Sequence, residues 1–281
     1  MKRNNKSTLG ALLVGGVLMI TALIATAGDF PVVDTGQELF FNASAEISAP
    51  SAGAAFFGQD AQYDGNAPDF FLSADQLSAE ATASCLTWQR VPDTNLDGIL
   101  EPGDKLSWWD ALDQPAVLNA AHFGGFNDWR LPNIKELYSL IDFRGIDPSG
   151  YQGSTEGLVP FMDTNVFEFI YGDENIGERI IDSQYWTTSE YVSTTMNGDH
   201  TVFGVNFADG RIKGYPTTMM GQDKTAFVLC VRGNTNYSVN DFQDNGDGTI
   251  TDQATGLMWM QGDSADALNW QDALSYAENL T

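Results

Sequence analysis

Positive charge is what this sequence has least of: thirteen Lys and Arg stand against thirty-eight Asp and Glu, for a formal net charge of −25. Three of the thirteen, Lys2, Arg3 and Lys6, sit at the extreme N-terminus, and the other ten are scattered singly. A phosphate backbone is bound by clustered cations, so no nucleic-acid partner is expected. Cysteine and histidine are as scarce, with two of each, and neither His122 nor His200 stands at ligand spacing from a cysteine. That leaves little material for zinc or Cys–His chemistry. Long apolar runs are missing after Ile24, so no later segment is expected to span a membrane. Aromatic residues are plentiful, at 12% within a 43% apolar composition. This separates the chain from acidic disordered tails and gives its 281 residues enough buried surface for one large or two smaller domains.

The N-terminus has the pattern of a secretory signal. The three basic residues precede an uncharged run from Leu9 to Ile24 and the small residues Ala25-Thr26-Ala27, which together predict a signal peptide over 1–27 cleaved after Ala27. Its removal takes the net charge from −25 to −28, since it carries three basic residues and no acidic one. The other reading is an uncleaved membrane anchor over the uncharged Ser7–Gly28 stretch. Export, whether to the periplasm, the cell surface or the medium, makes Cys85 and Cys230 a natural disulfide pair. A catalytic thiol or a metal-binding pair is the alternative.

An internal repeat organises the rest. Thr255-Gly-Leu-Met-Trp259 echoes Ser84-Cys-Leu-Thr-Trp88 at an offset of 171, and Leu268-Asn-Trp-Gln-Asp-Ala-Leu274 echoes Leu106-Ser-Trp-Trp-Asp-Ala-Leu112 at an offset of 162. The chain therefore divides into a domain over 28–233, a polar linker over 234–240 and the start of a second copy over 241–281. The alternative is that 241–281 adds a strand and a helix to the first domain. Ser107 with Asp110, and Asn269 with Asp272, read as helix N-caps. Asn133 with Glu136 has capping-box spacing before Ile134, Leu137, Leu140 and Ile141, so Glu136 is expected to cap a helix rather than to act as an acid. Residues 185–191, 202–207 and 227–232 read as strands, with a tight turn at Asp209-Gly210. Two helices before an antiparallel sheet make the class α+β.

Two segments carry chemistry. Asp93, Asn95 and Asp97 stand at positions one, three and five of a calcium-type loop, with Gly98 at six, the carbonyl of Ile99 at seven and Asp104 at twelve. A weak, structural Ca²⁺ site is one reading and a metal-free acidic turn the other. The second segment is the long Gly-, Pro- and Asp-interrupted stretch from Arg144 to Ile180, of the kind that carries binding sites on a rigid scaffold. Tyr151, Phe161, Phe169 and Tyr171 are its candidate ligand contacts, whereas Trp88, Trp108, Trp129 and Trp186 lie in scaffold motifs and are expected in the core.

The sequence resembles the domain family named after the C-terminal region of the Legionella collagen-like adhesin. The pieces that carry the resemblance are Val33-Asp-Thr-Gly-Gln37, Gly58-Gln-Asp-Ala-Gln62, Trp108–Leu112, Asn127-Asp-Trp-Arg-Leu-Pro-Asn133 through Leu137, Tyr185-Trp-Thr-Thr-Ser-Glu190, Phe207-Ala-Asp-Gly210 and Cys230-Val-Arg232. The resemblance implies a C-type-lectin-like fold with a disulfide-braced antiparallel sheet, two helices and long irregular loops. It also implies an exported, non-catalytic bacterial binding module, such as a surface adhesin for an extracellular glycan or protein. The sulfated polysaccharide bound by the family's characterised type does not carry over, because a charge of −28 repels polyanions. Two alternatives stay open: an enzyme of the formylglycine-generating, sulfatase-modifying kind, whose Trp-Arg-Leu-Pro stretch is similar, and a purely structural surface repeat.

Overall fold

In the computed structural model, the residues described are 31–151, 153–195 and 198–280. The expected signal peptide over 1–27 lies outside them. Among the described residues no helix is long and apolar enough to cross a membrane.

Strands β1 (Phe70–Leu72), β2 (Ser78–Ala81) and β3 (Leu86–Gln89) form an antiparallel meander before helix α1 (Trp108–Ala121) and the short helix α2 (Ile134–Tyr138). A second antiparallel meander follows, made of β4 (Gln184–Thr195), β5 (Asp199–Asn206) and β6 (Arg211–Pro216). Strand β7 (Val231–Gly233) returns to pair with β3, which completes a four-stranded sheet in the order β7-β3-β2-β1. The chain is thus a mixed α and β protein with mostly antiparallel sheets and few helices.

Both helices start where their caps place them. The Ser107 hydroxyl accepts from the Asp110 amide at 3.1 Å, and the Asn133 side chain accepts from the amides of Lys135 and Glu136 at 3.0 Å. Helix α1 buries Trp108, Ala111, Gln114 and Leu118, one stripe at helical spacing, and ends at His122 in the left-handed conformation. Helix α2 is shorter than its apolar pattern predicts. It stops at Tyr138, and Leu140 and Ile141 enter the core from the turn that follows.

The core has two halves, and the segment 227–231 divides them. Phe227, Leu229 and Val231 point into one cluster with Leu86, Trp88, Leu137 and Phe167, while Val228 and Cys230 point into the other with Trp108, Trp129 and Trp186. This is the two-residue period of an extended chain with both faces buried. Tyr185 and Trp186 split between the two halves in the same way. All four tryptophans expected in the core are buried.

The stretch from Asp128 to Glu136 ties these parts together. Arg130 and Val231 exchange backbone hydrogen bonds at 2.9 Å, and Asp128 pairs with Arg232 at 2.6 Å. Asn119 and Trp129 bond reciprocally at 2.7 and 2.9 Å, while the Pro132 carbonyl accepts from the Thr188 amide at 2.9 Å. Glu136, only 2% exposed, closes the strap: it accepts two bonds from the Arg130 guanidinium, at 2.6 and 2.8 Å, and one from the Asn133 amide at 2.9 Å. The capping role expected for Glu136 is present, together with an ion pair that spacing does not reveal.

Residues 242–280 reproduce the opening of the domain. Strands β8 (Phe242–Asp244), β9 (Thr249–Asp252) and β10 (Leu257–Met260) form a meander, and helix α3 (Trp270–Glu278) follows. Ile250 faces Trp259 as Ala79 faces Trp88, so the hairpin register recurs at the offset of 171. Burial does not recur. Trp259 and Trp270 are 55% and 44% exposed, and α3 buries no residue. The stretch 234–240 is more than a polar linker, since Tyr237 joins the first core cluster and Ser238 accepts from the Asn133 side chain at 2.6 Å.

Removing one partner of a buried, hydrogen-bonded ion pair costs about 3–5 kcal/mol. Glu136→Ala is expected to lower the unfolding free energy by about 3 kcal/mol, read as a shift of the urea midpoint at unchanged slope.

Candidate ligand-binding face

Strand β6 places Arg211, Lys213 and Tyr215 on one side, as alternate residues of a strand must be. The Asp209-Gly210 turn delivers them. Asp209 is buried, and one of its carboxylate oxygens takes both Arg211, at 3.2 Å, and Lys213. Gly210 is in the left-handed region, at φ +67°, and a Cβ there or on Gly145 would overlap the Phe161 ring. Phe161 is therefore a wedge between the long loop and the β5–β6 turn, with its amide donating to the Phe207 carbonyl at 2.8 Å.

The far end of the long loop is a wall of ion pairs. Glu178 accepts from the Asp173 amide at 3.0 Å and from the Lys105 ammonium at 2.6 Å, and that ammonium also donates to the Asp182 carbonyl at 2.7 Å. Arg179 pairs with Asp182 at 2.6 Å. Burial opposes the charge on Asp182, yet the bonds from Arg179 and Gln184 hold its carboxyl well below the ordinary carboxylate range. This wall separates two hollows, and Glu178 and Arg179 line both. One, of about 510 Å³, lies between Lys105, Asp182, Tyr215 and Lys224. The other, of about 360 Å³, lies between Pro148–Tyr151 and Ile180–Ile181. A more apolar hollow of about 350 Å³ is lined by Val33, Tyr138, Phe143 and Tyr237.

The four candidate aromatic contacts are not brought together. Tyr151 is 52% exposed and lines the smaller of the two adjoining hollows. Phe161, Phe169 and Tyr171 are only partly exposed. Phe169 packs on the core and meets Tyr171 edge to face at 4.9 Å, and burial pushes the Tyr171 phenol up to about 12. The residues that spacing missed are Lys105, Arg179 and Lys224. Their only signal in the sequence is the rarity of basic side chains, since five of the ten after residue 27 gather on this face.

The loop over 93–104 folds on its own amides. Asp93 accepts from the amides of Leu96 and Gly98, both at 2.7 Å, Asn95 from Asp97 at 2.8 Å, and Asp97 from Ile99 at 2.9 Å. Asp104 is buried and turned onto the amides of Thr94 and Glu101, both at 2.9 Å. The Gln114 side chain then donates to the Thr94 carbonyl at 3.0 Å and anchors the loop to α1. Convergence of Asp93, Asn95, Asp97, Ile99 and Asp104 on one cation is not the arrangement found. Among the described residues, no group of three or more Asp, Glu, His or Cys stands where a metal ion could be held.

The cysteines require a correction. Both lie where β3 and β7 pair, but the register sets Val231 opposite Trp88, and the Gln89 amide donates to the Cys230 carbonyl at 2.9 Å. Cys85 precedes β3, in left-handed backbone at φ +54°, and the strand from Leu86 to Gln89 that separates it from the Cys230 pairing alone spans about 10 Å. A disulfide needs Cα atoms within about 7 Å. Both thiols are free, with Cys85 exposed and Cys230 buried in the second core cluster, where burial pushes its pKa up to about 12.

With this geometry in place, comparison with known proteins adds one finding. The Lcl C-terminal domain family matches residues 80–232, which is more than half of the 281-residue chain, and the chain belongs to that family. The match runs from β2 to β7 and takes in the strap, the long loop and the cationic face. None of the curated proteins matches the chain.

Two measurements test this reading of the loop and the thiols. Native alkylation followed by intact-mass analysis is expected to modify one cysteine, Cys85, and a second only after denaturation. Calcium at millimolar concentration is expected to move the melting temperature by less than about 1 °C, whereas a site filled a hundredfold over its Kd stabilises by about 2.7 kcal/mol and moves it by several degrees.

Proposed function

We propose that the chain is an exported, non-catalytic bacterial binding module of C-type-lectin-like fold, acting at the cell surface as an adhesin. Its ligand, an extracellular glycan or protein, sits on the face built by the long loop and β6. The observation that carries this reading is the ion-paired wall of Lys105, Glu178, Arg179 and Asp182, which holds two hollows open on a buried scaffold. Preformed concavities with a few fixed polar groups suit recognition. The sulfatase-modifying alternative needs a reactive cysteine pair, and the β3–β7 register keeps Cys85 and Cys230 apart.

A repeated surface architecture is favoured by a separate observation. Strands β9 and β10 repeat the register of β2 and β3, while Trp259 of β10 and Trp270 of α3 are exposed where their counterparts Trp88 and Trp108 are buried. We read 241–281 as the opening elements of a second copy of the same domain.

Glycan and extracellular-protein arrays probed with the chain beginning at residue 28 are the test. A specific signal that falls at least about tenfold in Tyr151→Ala or Arg179→Ala, equivalent to about 1.4 kcal/mol, supports this face as the site. A signal that both variants retain in full places binding elsewhere.

A further inference from the structure

The larger hollow beside the wall contains a charge that the protein does not balance. Three cations line it, Lys105, Arg179 and Lys224, with two carboxylates, Glu178 and Asp182. Lys105 is paired with Glu178 and Arg179 with Asp182, both at 2.6 Å. Lys224 has no such partner. Among the described residues its ammonium forms no ion pair and no side-chain hydrogen bond, and it stands over the Tyr215 ring, 5.4 Å from the centroid. The Lys224 amide donates to the Thr217 carbonyl at 2.9 Å, which fixes its backbone, and the residue lines the hollow.

In a chain with thirty-eight carboxylates, a partly buried cation with neither an acid nor a side-chain hydrogen bond needs a reason; Arg90, which also has no acid, is satisfied by the carbonyls of Val166 and Gln76. Every other cation on this face has its acid: Lys105, Arg179, Arg211 and Lys213 all do. Desolvation disfavours the charged form of Lys224 and lowers its pKa, with Arg179 and Lys105 acting in the same direction and Asp182 and Glu178 against it. An anion entering the hollow would relieve that cost. The excess is one positive charge, because the other two cations are neutralised in place. A dianion would meet Glu178 and Asp182 without a second free cation to offset them. Of the rest of the lining, Tyr215, Pro216 and Met219 offer an aromatic and apolar wall, Thr225 adds a hydroxyl, and the Gln184 amide is already committed to the Ile181 carbonyl and Asp182.

We propose that this hollow is a binding site for a single small organic carboxylate, whose anion pairs with Lys224 and whose body lies against Tyr215, Pro216 and Met219. The proposal rests on the binding-module reading above and narrows it to a ligand carrying one negative charge. Lys224 supplies the attraction. Arg179 also lines the hollow, and its guanidinium is already paired with Asp182.

The test is titration of the chain beginning at residue 28 with acetate, propionate and galacturonate, followed by NMR of the lysine side chains and by calorimetry. Galactose serves as the uncharged counterpart of galacturonate and inorganic phosphate as the dianion. Saturable binding of at least one carboxylate is expected, with no response to galactose and a weaker one to phosphate. Lys224→Gln is expected to weaken carboxylate binding at least about tenfold and Lys224→Arg to keep it within about threefold, since guanidinium replaces the charge. Arg144→Gln, which removes a cation paired with Asp142 outside the hollow, should change nothing. The proposal is overturned if no carboxylate saturates below about 100 mM, where binding is weaker than the millimolar scale of a specific small ligand. Equal affinity in Lys224→Gln with its melting temperature intact, or tighter binding of phosphate, also overturns it. Loss of the carboxylate response with a persisting array signal sinks this site alone, and the reverse result sinks the adhesin reading alone.

Discussion

The bidentate pair between Arg130 and the buried carboxylate of Glu136 is the constraint on which the rest of this domain depends. A carboxylate that is 2% exposed is tolerable only when its lone pairs are engaged, and Glu136 engages them with the guanidinium and with the first amide of its own helix cap. This fixes α2 against the extended stretch that precedes it. That stretch exchanges backbone bonds with Val231, so the position of β7 between the two halves of the core follows from the same pair. Each residue of the strap then has a task. Asp128 holds Arg232, Trp129 locks onto Asn119 of α1, Leu131 fills the second core cluster, and the Pro132 carbonyl receives an amide of β4.

A core divided by one fully buried segment leaves the two sheets no freedom to slide, and the long loop inherits that rigidity. Phe161 wedges its near end over Gly145 and Gly210, and Lys105 pins its far end through Glu178 and the Asp182 carbonyl. Loops without regular structure are ordinarily the mobile part of a domain. Here the scarce cations are spent on holding one in shape. Since the chain is acidic almost everywhere else, gathering five of its ten remaining basic residues on this face also makes the face electrostatically distinct from its surroundings.

The same residues explain why the fold was more legible than the site. Ser107 with Asp110 and Asn133 with Glu136 signal helix starts, because a cap needs only groups three residues apart. The repeat of the hairpin at an offset of 171 was visible because strand pairing and turn chemistry are written into a dozen consecutive residues. The cationic hollow had no comparable signal. Lys105 and Lys224 are 119 residues apart, and neither sits in a motif. The aromatic residues singled out in the loop were chosen for type alone, and Phe161 shows the weakness of that choice, because what decides its role is a pair of glycines far from it in sequence.

The sequence by itself determined the α+β class, the helix starts, the buried tryptophans and the family to which the chain belongs, but not the meander over 70–89 that precedes both helices. All of these rest on local pattern: periodicity, caps, tight turns and short motifs in a fixed order. Only the tertiary structure decided what distant residues do to one another. Two cysteines that export would pair are kept apart because the register sets Cys230 at Gln89, the far end of β3 from Cys85, since strand pairing is set by the whole hydrophobic pattern and not by either thiol. The acidic residues of the 93–104 loop accept from its own backbone amides, and Asp104, being buried, satisfies its oxygens on Thr94 and Glu101. Lys224 is left without an acid because the two carboxylates nearest its hollow are already committed to Lys105 and Arg179, a balance of charge that exists only once five segments of the chain have been brought to one place.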